Sequence, residues 1–218
     1  MSDPEPEVLD LEDWKRREHF EFFRHYEKPW FNICADVDVT VLVARSAEPE
    51  GPSFFLASLW LSLVAANEVE PLRYRLRGDQ VVVHPVIHGG STVLMPDETF
   101  AFAYFDFQTS FAEFAAAGAE ELEKVKRGPG GLNPKTGRDD MIHYSIIPWV
   151  SFTSFSHART WKADLSVPKI VFGRHRPVGD RHLLPVSVEV HHALVDGLHV
   201  GRFYQRFEEL AGLPDRLV

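Results

Sequence analysis

The run Pro185-Val-Ser-Val-Glu-Val-His-His-Ala-Leu-Val-Asp-Gly197 constrains this chain more than any other segment. Val186, Val188 and Val190 alternate with Ser187 and Glu189, the pattern of a strand with one apolar and one polar face. Continued by period two, His192 joins the valine side and His191 the side of Ser187 and Glu189, so the two imidazoles point opposite ways. A histidine on the apolar side is desolvated and held toward its neutral form, which suits a general base near pH 7. The same burial is equally that of a core histidine kept for structural reasons. Asp196-Gly197 reads by residue type as a turn and helix N-cap, or as a carboxylate placed beside the base.

The pattern along the chain predicts a single domain over residues 11–218 behind a flexible acidic tail over 1–10. Asp13 is a candidate cap for a first helix carrying Trp14, Phe20 and Phe23. Phe31 to Val43 is β-rich, and Ser53 to Ala66 is a buried core helix. Arg73–Arg77 and Val81–Val83 flank Gly78-Asp79-Gln80 as a hairpin. Strands follow at Thr92–Met95 and Thr99–Phe107, then an Ala/Glu-rich helix over 110–126 and a loop over 127–140. Further strands are expected at 142–153, 169–172 and 183–192. A last helix sets Val200, Phe203, Phe207 and Leu210 on one face and stops before Gly212. This order lacks sustained βαβ alternation and implies an α+β fold, a mixed sheet with helices on one side.

Composition excludes several function classes. The formal net charge is -9 and no dense Lys/Arg run breaks it, which argues against nucleic-acid and membrane partners. Cys34 is the only cysteine, so no intrachain disulfide or cysteine zinc site can form. The core helix is too short to span a bilayer, and the acidic start lacks the basic and apolar regions of a secretory signal, so a cytoplasmic location is expected. His191, His192 and His199 lie close in sequence, but His191 and His192 face opposite ways and no nearby Cys or Glu completes a ligand set, which argues against a metal site. Gly128-Pro-Gly-Gly131 matches neither phosphate-loop pattern and reads as a surface connection.

The His191-His192-x-x-x-Asp196-Gly197 motif resembles the signature of the chloramphenicol acetyltransferase family, and three further blocks match in the family's order. They are Trp14-Lys-Arg-Arg-Glu-His-Phe-Glu-Phe-Phe23, Pro148-Trp-Val-Ser-Phe-Thr-Ser-Phe155 and Gly179-Asp-Arg-His-Leu-Leu-Pro185. The resemblance, which covers roughly residues 11 to 211, implies a two-layer sandwich and a homotrimer with active sites at subunit interfaces. It implies acetyl transfer from acetyl-CoA to a hydroxyl of chloramphenicol, with His192 as general base and Ser145 stabilising the oxyanion. It also implies that Asp196 pairs with Arg16, with Arg17 as the adjacent alternative. Arg174 and His175 align with a pair near coenzyme A, and Phe23, Phe31 and Trp149 border the acceptor pocket. His157 and Val171 depart from the family's leucine and threonine, which leaves open another hydroxyl or amine acceptor, such as a natural-product intermediate. A non-catalytic ligand-binding trimer is a further alternative. On residue type alone, Ser145 is an ordinary strand serine and Arg16 a solvated helix arginine.

Overall fold

A strand of 11 residues, Arg181–His191, runs through the middle of the molecule and pairs with three others. The computed structural model describes residues 4–128, 131–132, 134, 137–159 and 166–217. In chain order the strands are β1 (Glu7–Val8), β2 (Trp30–Asp38), β3 (Tyr74–Arg77), β4 (Gln80–Val83), β5 (His88–Leu94), β6 (Phe100–Phe105), β7 (Met141–Ile146), β8 (Lys169–Phe172), β9 (Arg176–Val178) and β10 (Arg181–His191). The helices are α1 (Arg17–Phe23), α2 (Thr40–Ser46), α3 (Phe54–Glu68), α4 (Phe111–Arg127) and α5 (Gly197–Ala211).

The main sheet has the order β2-β10-β8-β7-β5-β6, with β9 pairing the start of β10. Its β5–β7 and β7–β8 pairs are parallel and the others antiparallel, so the sheet is mixed as expected. A second sheet orders β1-β4-β3. The sheet and helices form the α+β sandwich that the sequence pattern implies.

The helices cover one face because the apolar residues alternate onto it. Val186, Val188 and Val190 are fully buried, in one core with Val200, Phe203, Phe207 and Leu210 of α5. Each such side chain contributes about 1.5–3 kcal/mol by burial. Helix α3 is buried from Leu56 to Ala66 rather than amphipathic, since it contacts α2, α4, α5 and the sheet. Its polar contacts include the buried Ser62 Oγ to Tyr144 OH at 2.9 Å and Trp60 Nε1 donating to Gln108 O at 2.8 Å. The other face of the sheet carries Ser145, Val171, Ser187 and Cys34 in one row across β7, β8, β10 and β2.

Several boundaries differ from the sequence pattern, each for a local reason. The β-rich run 31–43 is not one strand, because the Asp38 carboxylate accepts from the Thr40 backbone N–H at 3.0 Å and its hydroxyl at 2.5 Å. That turn starts α2 despite its β-branched residues. Asp13 does not cap α1; Arg16 occupies the N-cap position without a side-chain bond. The strand expected over 142–153 ends at Ile146, and Trp149 follows in a turn. The strand read at Thr92–Met95 begins earlier, at His88, because His88 to Ser91 pair with β7 and Gly89 onward with β6; Gly89 also lets α3 approach, since a Cβ there would lie 3.3 Å from Leu63 Cδ1. Within the tail read over 1–10, Glu7–Val8 pairs with β4 and Leu9 N donates to Val81 O. Residues 1–3 and positions 129 and 130 of the glycine run lie outside the described residues.

Arg75 is the largest fully buried side chain, and nothing in the linear pattern marks it. Its guanidinium donates to the carbonyls of Asp139, Leu72, Tyr74 and Met141 at 2.6–2.8 Å. Burial pulls its pKa down to about 9, opposed by Asp139 and Asp140. It joins the small sheet to the chain entering β7. Arg75→Met is expected to cost about 3 kcal/mol or more, because several buried carbonyls lose their donor. A clearly lower urea midpoint checks this, and an unchanged midpoint would show that the guanidinium holds nothing together.

Candidate active site

The ladder of β10 ends at His191, which faces Trp30, and one further bond runs from His192 N to Pro29 O at 2.7 Å. The chain then turns, with Leu194 N and Val195 N both donating to His191 O, and enters α5 at Asp196. His192 thus sits at a strand end before a helix. Its ring stacks on Phe23 of α1 at a centroid distance of 3.8 Å and tilts against Phe31 of β2 at 4.7 Å.

Period two holds for the direction of the two histidines and fails for their burial. His192 shares the side of Val190 and its neighbour Phe31, but its side chain is 33% exposed because the strand ends there. His191 is the enclosed one, 1% exposed on the side of Glu189, and burial pulls its pKa down to about 4, with Arg159 and His192 adding to the shift. The expectation that His192 is the desolvated imidazole is therefore corrected.

Two contacts orient His192. Its Nδ1 lies 3.2 Å from Val195 O and 3.4 Å from Asp196 Oδ1. A carbonyl only accepts, so the Val195 contact requires a proton on Nδ1 and leaves Nε2 with a free lone pair in the neutral ring. Asp196 in turn forms an ion pair with Arg16. Arg16 also donates to His192 O at 3.1 Å and to Ala193 O at 3.5 Å, so one guanidinium holds both ends of the turn. Burial lowers its pKa. Arg17 has no such contact among the described residues. The Asp196 N–H donates to His199 Nδ1 at 3.0 Å, a helix-capping contact that gives His199 a structural place.

The structure does not bring every candidate together. Ser145 is half-buried on the helix-free face of β7, in register with Val171 and through it with Ser187. His192 lies beyond the far end of β10, so strand rise and spacing separate it from Ser145 by roughly 15–20 Å within one chain. Val171, fully buried, shares the Ser145 row. His157 packs edge-on to Phe155 at 4.9 Å.

Arg174 and His175 lie elsewhere, in a cleft of about 720 Å³ between α3, α4 and the ends of β7 and β8. Phe54, Thr92, Leu94 and Lys126 also line it. Trp149, 60% exposed, belongs to this cleft, which neither Phe23 nor Phe31 lines. His175 contacts Phe54 at 5.1 Å and His182, and burial lowers its pKa. The cations Arg174 and Lys126 at a mostly apolar cleft suit a ligand with phosphates and an apolar arm. Sequence reasoning missed Phe54 and Lys126, whose part in the cleft depends on how α3 and α4 pack. It also missed the Val195 carbonyl, which no side-chain motif can reveal. Among the described residues no group of three or more His, Cys, Asp or Glu is arranged to hold a metal, and no helix is long and apolar enough to cross a membrane.

Comparison with known proteins agrees with this architecture. The family model described as chloramphenicol acetyltransferase matches residues 6–208. Chloramphenicol acetyltransferase 3 of Escherichia coli is 32% identical over 207 residues, covering 93% of this chain and 95% of the relative. The chloramphenicol acetyltransferase of Streptomyces acrimycini is 34% identical over 218 residues, covering 97% and 96%. A solved chloramphenicol acetyltransferase superposes with a TM-score of 0.85 at 27% identity, covering 94% of this chain and 99% of that one. A dihydrolipoamide acetyltransferase of Azotobacter vinelandii, at 20% identity and a TM-score of 0.66, shares the fold. With a matching model along nearly its whole length and relatives above 30% identity, the chain belongs to the chloramphenicol acetyltransferase family of acyltransferases.

Proposed function

We propose that this protein transfers the acetyl group of acetyl-CoA to a hydroxyl of chloramphenicol by direct transfer, with His192 as general base. The observation that carries this reading is the orientation of His192, whose Nδ1 is turned to the Val195 carbonyl while Nε2 is left to accept a proton. Nε2 takes the acceptor hydroxyl proton as the oxygen attacks the thioester carbonyl. The C–O bond forms, the C–S bond breaks, and the departing thiolate recovers the proton from the imidazolium. Asp196, 3.4 Å from the ring nitrogen and neutralised by Arg16, orients the imidazole and stabilises the turn rather than moving a proton. Phe23 and Phe31 flank the imidazole with apolar surface suited to an aromatic acceptor. Coenzyme A is assigned to the cleft of Arg174, His175 and Trp149. The activity inactivates an antibiotic.

The separation of Ser145 from His192 within one chain supports a second element of the reading. If Ser145 donates to the oxyanion, it comes from another copy, and the site is shared between adjacent subunits of a homotrimer. The helix-free sheet face of one copy would meet the His192 turn of the next.

Release of thiol from acetyl-CoA with chloramphenicol as acceptor tests the reading. His192→Ala is expected to lower turnover by about 10³-fold or more while melting temperature and oligomer stay native. His191→Gln should act the other way round, lowering the melting temperature more than turnover of chloramphenicol, since that side chain is enclosed and points away from the His192 ring. Equal losses of turnover from both, in folded protein, would refute the assignment of the base. Arg16→Ala and Asp196→Asn should each lower turnover and stability, with a double mutant well short of the sum. Additive losses would show that the pair does not act as a unit.

A further inference from the structure

The row next to Ser145 on the helix-free face carries ionisable side chains on three of its four strands. His143 of β7 pairs with Lys169 of β8, Lys169 with Glu189 of β10, and Glu189 with Asn32 of β2. His143 and Ser145 alternate onto the same face, so this row lies about 7 Å from the Ser145 row. Arg159 forms an ion pair with Glu189 and stacks over Trp30 at 4.8 Å, with both members of the pair almost enclosed at 11% and 10% exposed. Lys169 Nζ donates to Ala158 O at 2.9 Å.

Three buried nitrogen atoms around this row lack a hydrogen-bond partner among the described residues: Arg159 Nη2, His157 Nε2 and His191 Nε2. For His191 the polarity is determined. Ala193 N donates to its Nδ1 at 3.3 Å, so in the neutral ring the proton sits on Nε2, which is an unmatched donor. Arg159 Nη2 is a donor by nature. Burial, with Lys169, Arg159 and His143 adding, pulls the pKa of His157 down to about 4, so His157 is uncharged near neutral pH. Among the described residues the fixed charges of the cluster are then two cations, Lys169 and Arg159, against one carboxylate, Glu189. Buried donors left unpaired beside an excess cation cost free energy that an oxyanion would recover.

We propose that this cluster is an anion site within the acceptor pocket, and that the preferred acceptor of this protein carries a carboxylate or similar oxyanion besides the hydroxyl that is acetylated. The inference rests on the acetyl-transfer reading, because Ser145 in the adjacent row is what ties this face to the reacting oxygen. Chloramphenicol is neutral and would leave the donors unmatched. An acidic acceptor places its anion against Lys169, Arg159 and the His191 N–H while its hydroxyl reaches the Ser145 side.

The test compares para-(hydroxymethyl)benzoate with its methyl ester as acceptors for the full-length protein at saturating acetyl-CoA, beside chloramphenicol. The acid is expected to exceed the ester in kcat/KM by about tenfold or more, and that ratio should fall to about one in Lys169→Met, with melting temperatures confirming the fold. Calorimetric titration of the acid provides a readout independent of turnover: binding that weakens in Lys169→Met upholds the site. Acetylation of chloramphenicol and the ester but not the acid, with no calorimetric binding of the acid, overturns the anion site and leaves acetyl transfer standing. No thiol release with any acceptor counts against the acetyl-transfer reading instead, and the titration then decides the anion site alone.

Discussion

The guanidinium of Arg16 is the contact on which the site depends. It stands at the start of α1, 176 residues before His192 in sequence, and it engages the Asp196 carboxylate together with the carbonyls of His192 and Ala193. Without it, the turn between β10 and α5 would carry a half-buried carboxylate with no cation and two carbonyls with fewer donors, and the imidazole would lose the geometry that presents Nε2. The same interaction brings α1 to the strand end, which is why Phe23 is available to stack on the ring. One ion pair thus couples the folding of the N-terminal helix to the orientation of the proposed base.

Strand register makes the second division. Along β10 the valines go to the helices, and Ser187, Glu189 and His191 go to the opposite face. That face is buried in part yet polar, an arrangement that costs stability unless each polar group is matched. Ser187 is matched by Asn32, whose amide donates to its hydroxyl at 2.7 Å, and Glu189 by Arg159. The groups left unmatched fall beside Ser145, where an acceptor and a neighbouring copy are proposed to meet. The polarity of this face is then a property of the pocket rather than of the core.

Much of this was legible in the linear pattern, and the misses have physical causes. The apolar stripe of α5 and the opposed directions of His191 and His192 follow from period alone, and they hold. Burial does not follow from period, because it depends on where a strand stops, and β10 stops just before His192. Helix α2 was hidden by β-branched residues that a single Asp38 turn overrides. Arg75, the Arg159–Glu189 pair and the cleft around Arg174 depend on contacts between segments far apart in sequence, and no local spacing encodes them. The family's motif located His192, Asp196, Arg16 and Ser145, but only the register reveals that Ser145 cannot reach His192 in the same chain.

Complementation between two defective chains tests that sharing most directly. His192→Ala and Ser145→Ala proteins, each low in acetyl transfer, would be unfolded together, refolded as mixed oligomers and assayed for thiol release. A site shared between copies joins the intact Ser145 of one chain to the intact His192 of the other, so the mixture should gain activity well above the average of the two parents. Activity equal to that average, in mixtures proven to contain hetero-oligomers, would contradict the shared site.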